Sequence, residues 1–140
     1  MVPLRLGAFT VGGLLGQGGL GGEKLLPDAE ALGDPALLAD LLGALMGAWL
    51  SLARWEQVIE AMPRALEVAR DSRPGSVVAF SRFRAVAALR LGRLDQATRY
   101  AEDSVEAARL QGVPRLIAAG KRVLAEIAIE RGDLDLAGAH

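Results

Sequence analysis

No cysteine occurs anywhere in the 140 residues. That absence excludes disulfides, thiolate catalysis and zinc ribbons together. Histidine is nearly as scarce: the one example, His140, is the last residue and reads as a terminal side chain, not as a metal ligand or general base. Neither sign of charge is in surplus. A formal net charge of −1 offers no electrostatic handle to a nucleic acid, so a polyanion partner is not expected. Long apolar runs are missing too, since the longest, Leu41 to Ala53, spans 13 residues between Asp40 and Arg54, against the roughly 20 that cross a bilayer. The first twenty residues carry one positive charge, Arg5, but Gly7, Gly12, Gly13, Gly16, Gly18 and Gly19 dilute the apolar run a signal peptide needs, and no small-x-small cleavage site stands out. The expectation is a soluble, cytoplasmic chain with a modest core, no membrane or nucleic-acid partner and no cofactor.

What is present is unevenly distributed. Eight of the seventeen glycines lie before residue 27, with little charge among them. After it, apolar residues recur at helical spacing with charges on the other faces, which divides the chain into a poorly packed leader, 1–27, and an ordered domain, 28–140.

Within the ordered part, three stretches fall into one register when slid by 39 and then 40 residues. Pro35, Pro74 and Pro114 open the units. Eighteen residues on come Ala53, Gly92 and Gly132, followed by Trp55, Leu94 and Leu134, then Glu56, Asp95 and Asp135, then Val58, Ala97 and Ala137. A period of this size carried by small and apolar positions marks stacked helical hairpins that present a surface. Asp34 before Pro35 is a helix start, because the carboxylate can accept an orphan amide hydrogen and proline tolerates the first helical position. The spacing predicts helices over Pro35–Leu52 and Trp55–Arg70, the second kinked or restarted at Pro63, where one backbone bond is lost. Helices follow over Ser76–Leu91 and Leu94–Leu110, with Gly92 as the left-handed residue of the turn. The third unit predicts a helix from Pro114 to Arg131, a stop at Gly132 and a short return from Leu134 to His140.

The segments Leu91-Gly92-Arg93-Leu94-Asp95-Gln96-Ala97 and Ile129-Glu130-Arg131-Gly132-Asp133-Leu134-Asp135-Leu136-Ala137 resemble the turn of a tetratricopeptide repeat, over residues 29–140. The resemblance implies an all-α array of about three antiparallel helix pairs, the last one truncated. It implies small residues seven before the turn, where Ala85 and Ala125 stand and Met46 is larger, and others at Ala97, Ala137, Ser104 and Ala65. The chain departs from the family in its period, longer than the usual length of about 34, in Ala53 at a turn glycine, and in Pro63. Longer variants of this kind are similar to helical arrays appended to large bacterial regulators and signalling kinases.

That family takes a peptide or helix on the inner face of its first helices, which implies a non-catalytic protein-binding module. The inner positions, ten, six, three and two before the turn, are Gly43, Arg82 and Arg122; Gly47, Val86 and Glu126; Leu50, Leu89 and Ile129; and Ser51, Arg90 and Glu130. The mixture suggests an apolar floor with Arg82, Arg90 and Arg122 as a rim for a partner's carboxylate. The alternative is that these arginines are solvated positions paired with nearby acids. Both ends of the array look uncapped: Asp28 to Gly33 resembles the tail of a missing helix, and Ile117, Leu124 and Ile127 are expected to lack cover. The chain is therefore expected to be a piece of a longer array or to self-associate.

Residues 6–22 invite a second comparison. Gly16-Gln17-Gly18-Gly19-Leu20-Gly21 satisfies G-x-G-x-x-G, but Pro27 interrupts the helix a dinucleotide site needs and no strand–helix alternation follows. A Walker loop fails because Lys24 lies between Glu23 and Leu25. The segment resembles the glycine-rich loop of a bacterial Ser/Thr protein kinase, matched by Phe9, Leu15, Gly16, Gly18, Gly19 and Gly21, with Gly16, Gly18 and Gly21 as the implied nucleotide-covering residues. Glu23 stands where that family has valine, no lysine occurs between Lys24 and Lys121, and His-Arg-Asp and Asp-Phe-Gly are absent. Phosphoryl transfer is thus not expected, and the runner-up reading is an inactive, truncated kinase relative.

Smaller features are absorbed by the helices. Glu102, Asp103 and Glu106 read as a solvated face beside Arg99 and Arg109. Arg131-Gly132-Asp133 reads as a hairpin turn and not an adhesion signal, and Trp49 and Trp55 as hairpin core.

Overall fold

The computed structural model describes Pro27, Ala31 and residues 33–139, with side chains as far as Asp133. Every regular element among the described residues is a helix: α1 Pro35–Ser51, α2 Trp55–Ser72, α3 Ser76–Arg90, α4 Leu94–Gln111 and α5 Pro114–Ala139. The fold is all-α and built of antiparallel helical hairpins, as the register predicts. The chain forms two compact units that divide in the first turn of α3, after Ser76.

In the first unit, Asp34 caps α1 by accepting the Leu37 amide at 3.1 Å, one turn before the buried stripe of Leu38, Leu41, Leu42, Leu45, Met46 and Trp49 begins. The helix ends in a Schellman turn: the amide of Ala53 donates to the Leu50 carbonyl and that of Arg54 to the Trp49 carbonyl. The Arg54 carbonyl then accepts the first bond of α2, from Val58, so the reversal takes only three residues. Where α2 ends beside the start of α1, Arg73 donates through Nε and Nη2 to both oxygens of Asp40 at 3.1 Å, and the Ser72 hydroxyl donates to the Pro35 carbonyl. The Asp40 carboxylate holds the Arg73 guanidinium above its usual range, with Asp34 adding to the field.

Ala53 adopts φ +58°, the left-handed conformation its place in the register requires, although it carries a Cβ. An L-residue there costs about 1–2 kcal/mol, which glycine avoids at the expense of its own chain entropy. Ala53→Gly is therefore expected to raise stability by about 0.5–1 kcal/mol, read as a shift in the urea midpoint at unchanged slope; no shift would mean the turn is unstrained.

Helix α2 corrects the expectation of a restart at Pro63. It runs from Trp55 to Ser72 with Pro63 inside. The buried positions Val58, Met62, Ala65, Leu66 and Ala69 continue on one face across the proline, while Pro63 itself is exposed. Packing of that stripe outweighs the single lost bond.

The second unit holds α3, α4 and α5. The Schellman turn recurs at Gly92, φ +77°, with Gly92 N–H to Leu89 and Arg93 N–H to Ala88, and again at Gly112, φ +68°, with Gly112 N–H to Arg109 and Val113 N–H to Ala108. Antiparallel pairing of α3 with α4 is marked by the buried Ser104 hydroxyl, which donates to the Val78 carbonyl at 3.1 Å, and by Arg84 lying 3.9 Å over the Tyr100 ring. Helix α5 packs back along α4: Arg131 reaches Asp95 at 2.9 Å, and Gly120 sits against Val105.

The third unit departs from expectation. No turn forms at Gly132, no return helix begins at Leu134, and α5 continues for 26 residues to Ala139. A glycine inside a helix costs only about 1 kcal/mol, less than the loss of the helix bonds that a turn there would break. The third left-handed glycine of the array is Gly112, between α4 and α5, and Arg131-Gly132-Asp133 is helical. Ala125, expected at a close helix approach, is exposed, whereas its counterparts Ala85 and Met46 are fully buried. Ile127, expected to lack cover, is buried at 3% exposure, and Ile117 and Leu124 are half-buried.

Candidate functional site

The candidate site residues lie on α3 and α5, both in the second unit. Helix α3 starts where the chain turns after Pro74 and ends in the Gly92 turn, and α5 starts after Gly112; the two turns bracket α4, against which α5 packs. Arg90, in the last turn of α3, meets Glu126 of α5 at 3.9 Å, so two of the inner-face positions read from the register touch across the helices. Both side chains are about half exposed and the separation is long. A pair of this kind is worth about 0–1 kcal/mol, so an incoming charge can compete for either member.

Arg82 is half-buried, its guanidinium 5.4 Å from the Phe83 ring centre, and its Nε is buried with no hydrogen-bond partner among the described residues. Val86 is half-buried. Leu89 is buried and spent on the core, so it offers nothing to a ligand in this conformation. Apolar surface is supplied instead by Ile129, 64% exposed. Arg122 is exposed and has no ion-pair partner among the described residues. Glu130 is exposed. The first-unit members of the register, Gly43, Gly47, Leu50 and Ser51, lie on the second half of α1.

Other sequence expectations fall as follows. Glu102, Asp103 and Glu106 are exposed; Glu106 pairs with Arg109 at 3.9 Å, while Asp103 reaches across the hairpin to Arg84 at 4.0 Å. Trp49 is buried and Trp55 half-buried. Gly16, Gly18 and Gly21 lie outside the described residues. Among the described residues no group of three histidine, cysteine or acidic side chains could hold a metal ion, and no helix is long and apolar enough to cross a membrane.

Sequence reasoning missed Gly120. Its neighbours Leu116, Val123 and Ile127 recur at helical spacing on the inward side of α5, and a glycine in such a stripe signals close backbone approach. Leu110, 81% exposed at the end of α4, was also not singled out. Comparison of the chain with protein-family models, curated proteins and solved structures finds no match.

Proposed function

We propose that this chain is a non-catalytic protein-interaction module of tetratricopeptide-like architecture that holds a peptide or helix of a partner on the face shared by α3 and α5. The exposed pair of Ile129 and Arg122 on α5 carries the reading, because an apolar side chain 64% exposed stands beside an arginine with no ion-pair partner among the described residues; the Arg90–Glu126 contact joins α3 to α5 but is itself an arginine paired with a nearby acid. In this reading Arg82 and Arg122 take a partner carboxylate, and Val86 and Ile129 supply apolar contact. The whole belongs to a larger bacterial signalling or regulatory system, with the cytoplasm as the compartment.

The test is selection of acidic peptides on the immobilised chain, followed by titration of the best binder against variants. Arg82→Glu with Arg122→Glu is expected to weaken binding at least tenfold, while Arg99→Glu, an exposed position on α4, leaves it within twofold. Equal affinity for all three proteins would remove the α3–α5 face from consideration. Far-UV circular dichroism of each variant guards against loss of fold.

A further inference from the structure

The register exposes a face of α5 whose counterparts on α1 and α3 are buried. In α1 the positions Ala39, Leu42, Met46 and Trp49 are each no more than 5% exposed, and in α3 their counterparts Val78, Ser81, Ala85 and Ala88 no more than 4%. Both helices are followed by a return helix. The corresponding residues of α5 are Ala118, Lys121, Ala125 and Ala128, and all four are exposed. Since α5 runs straight through Gly132, the described chain supplies no return helix to cover them. This stripe is distinct from the inner-face positions 122, 126 and 129, which lie beside it.

Charge decides what fits there. Lys121 stands where α1 has a buried leucine and α3 a buried serine, and Arg115 and Arg122 flank the stripe; none of the three has an ion-pair partner among the described residues. A helix laid on this face would bury the Lys121 ammonium, which is tolerated only against a carboxylate. The two return helices already present are themselves acidic: α2 carries Glu56, Glu60, Glu67 and Asp71 against Arg64 and Arg70, and α4 carries Asp95, Glu102, Asp103 and Glu106 against Arg99 and Arg109, so each nets −2. The small residues of the stripe permit the close helix approach used by α4 on α5 at Gly120. Self-pairing of two α5 helices in parallel would set Lys121 against Lys121, which is unfavourable.

We infer that this stripe of α5 takes an acidic amphipathic helix of a partner protein, laid on α5 as α2 lies on α1. The inference rests on Lys121 and the three alanines and not on the α3–α5 binding face; Arg122 alone borders both. The probe is a labelled synthetic peptide with the α4 sequence, residues 94–111, tested by fluorescence anisotropy against the full chain beside a version whose four acids are replaced by their amides. The acidic peptide is expected to bind at least tenfold more tightly than the amide version. Lys121→Glu removes that preference, and Ala125→Glu, at an exposed position, abolishes binding of both. Equal binding of the two peptides, or binding untouched by Ala125→Glu, overturns the inference. So does a chain that sediments as a dimer and becomes monomeric with Ala125→Glu, because the face then belongs to a second copy. No binding of the α4 peptide, with acidic-peptide binding on the α3–α5 face still weakened by Arg82→Glu alone, would separate failure here from failure of the proposed function.

Discussion

Gly120→Leu is expected to lower the stability of the second unit by about 3 kcal/mol, the largest loss among the substitutions considered. A Cβ built on Gly120 would lie 2.7 Å from Cγ2 of Val105 and 3.4 Å from its backbone nitrogen. Val105 is buried and β-branched, so its χ1 is nearly locked in a helix and the methyl cannot swing aside. Three further carbons must then push α5 away from α4, which also strains the Arg131–Asp95 contact. Alanine at the same position isolates the first methyl: its helix propensity gains about 1 kcal/mol over glycine, set against a clash of similar size. The decisive measurement is a double-mutant cycle. Val105→Ala should cost stability alone yet relieve the clash that Gly120→Ala introduces, giving a coupling of about 1 kcal/mol in urea unfolding. Additive effects would show that α4 and α5 are not in backbone contact at this point.

Pro63→Ala should act in the opposite sense and stabilise the first unit by about 2 kcal/mol. Proline in a helix interior forfeits the bond to the carbonyl four residues back, here Ile59, and its ring crowds that carbonyl, at a combined cost of about 3 kcal/mol. Part of the gain is returned because proline also restricts the unfolded chain, by about 0.5–1 kcal/mol. The ring is exposed, so alanine sacrifices no core contact. A raised denaturation midpoint with unchanged slope is the expected outcome. A lowered midpoint would mean that α2 uses the proline to bend, and that the burial of Met62 and Leu66 depends on the bend.

Local chemistry made most element boundaries legible. Asp34-Pro35 announced the start of α1 and Gly92 the end of α3; Ala53 could be placed at a left-handed turn because repeat register put it in line with Gly92. These features are decided within four or five residues, by hydrogen bonds a cap can make and by the steric freedom at one φ angle. The register put Arg90 and Glu126 among the expected inner-face positions, but their meeting at 3.9 Å is read from the structure alone. The restart expected at Pro63 and the turn expected at Gly132 misled for a common reason. Each residue weakens a helix by a fixed local amount, but whether the helix breaks depends on what the alternative would gain. At Pro63 an apolar stripe continues on both sides and holds the helix together. At Gly132 one helical glycine costs less than the bonds a turn would break, so α5 continues through it.

Sequence by itself determined that the chain is helical, where its first four helices begin and end, and that its small residues recur in step, because periodicity, caps and left-handed turns are properties of neighbouring residues. Tertiary structure alone decided that Gly120 lies against Val105, that Leu89 belongs to the core while Ile129 stands in solvent, and that Ala118, Lys121, Ala125 and Ala128 are left bare. The physical reason is that burial is a relation between helices distant in the chain. A residue pattern states which face is apolar, and only the packed neighbours determine whether that face is covered.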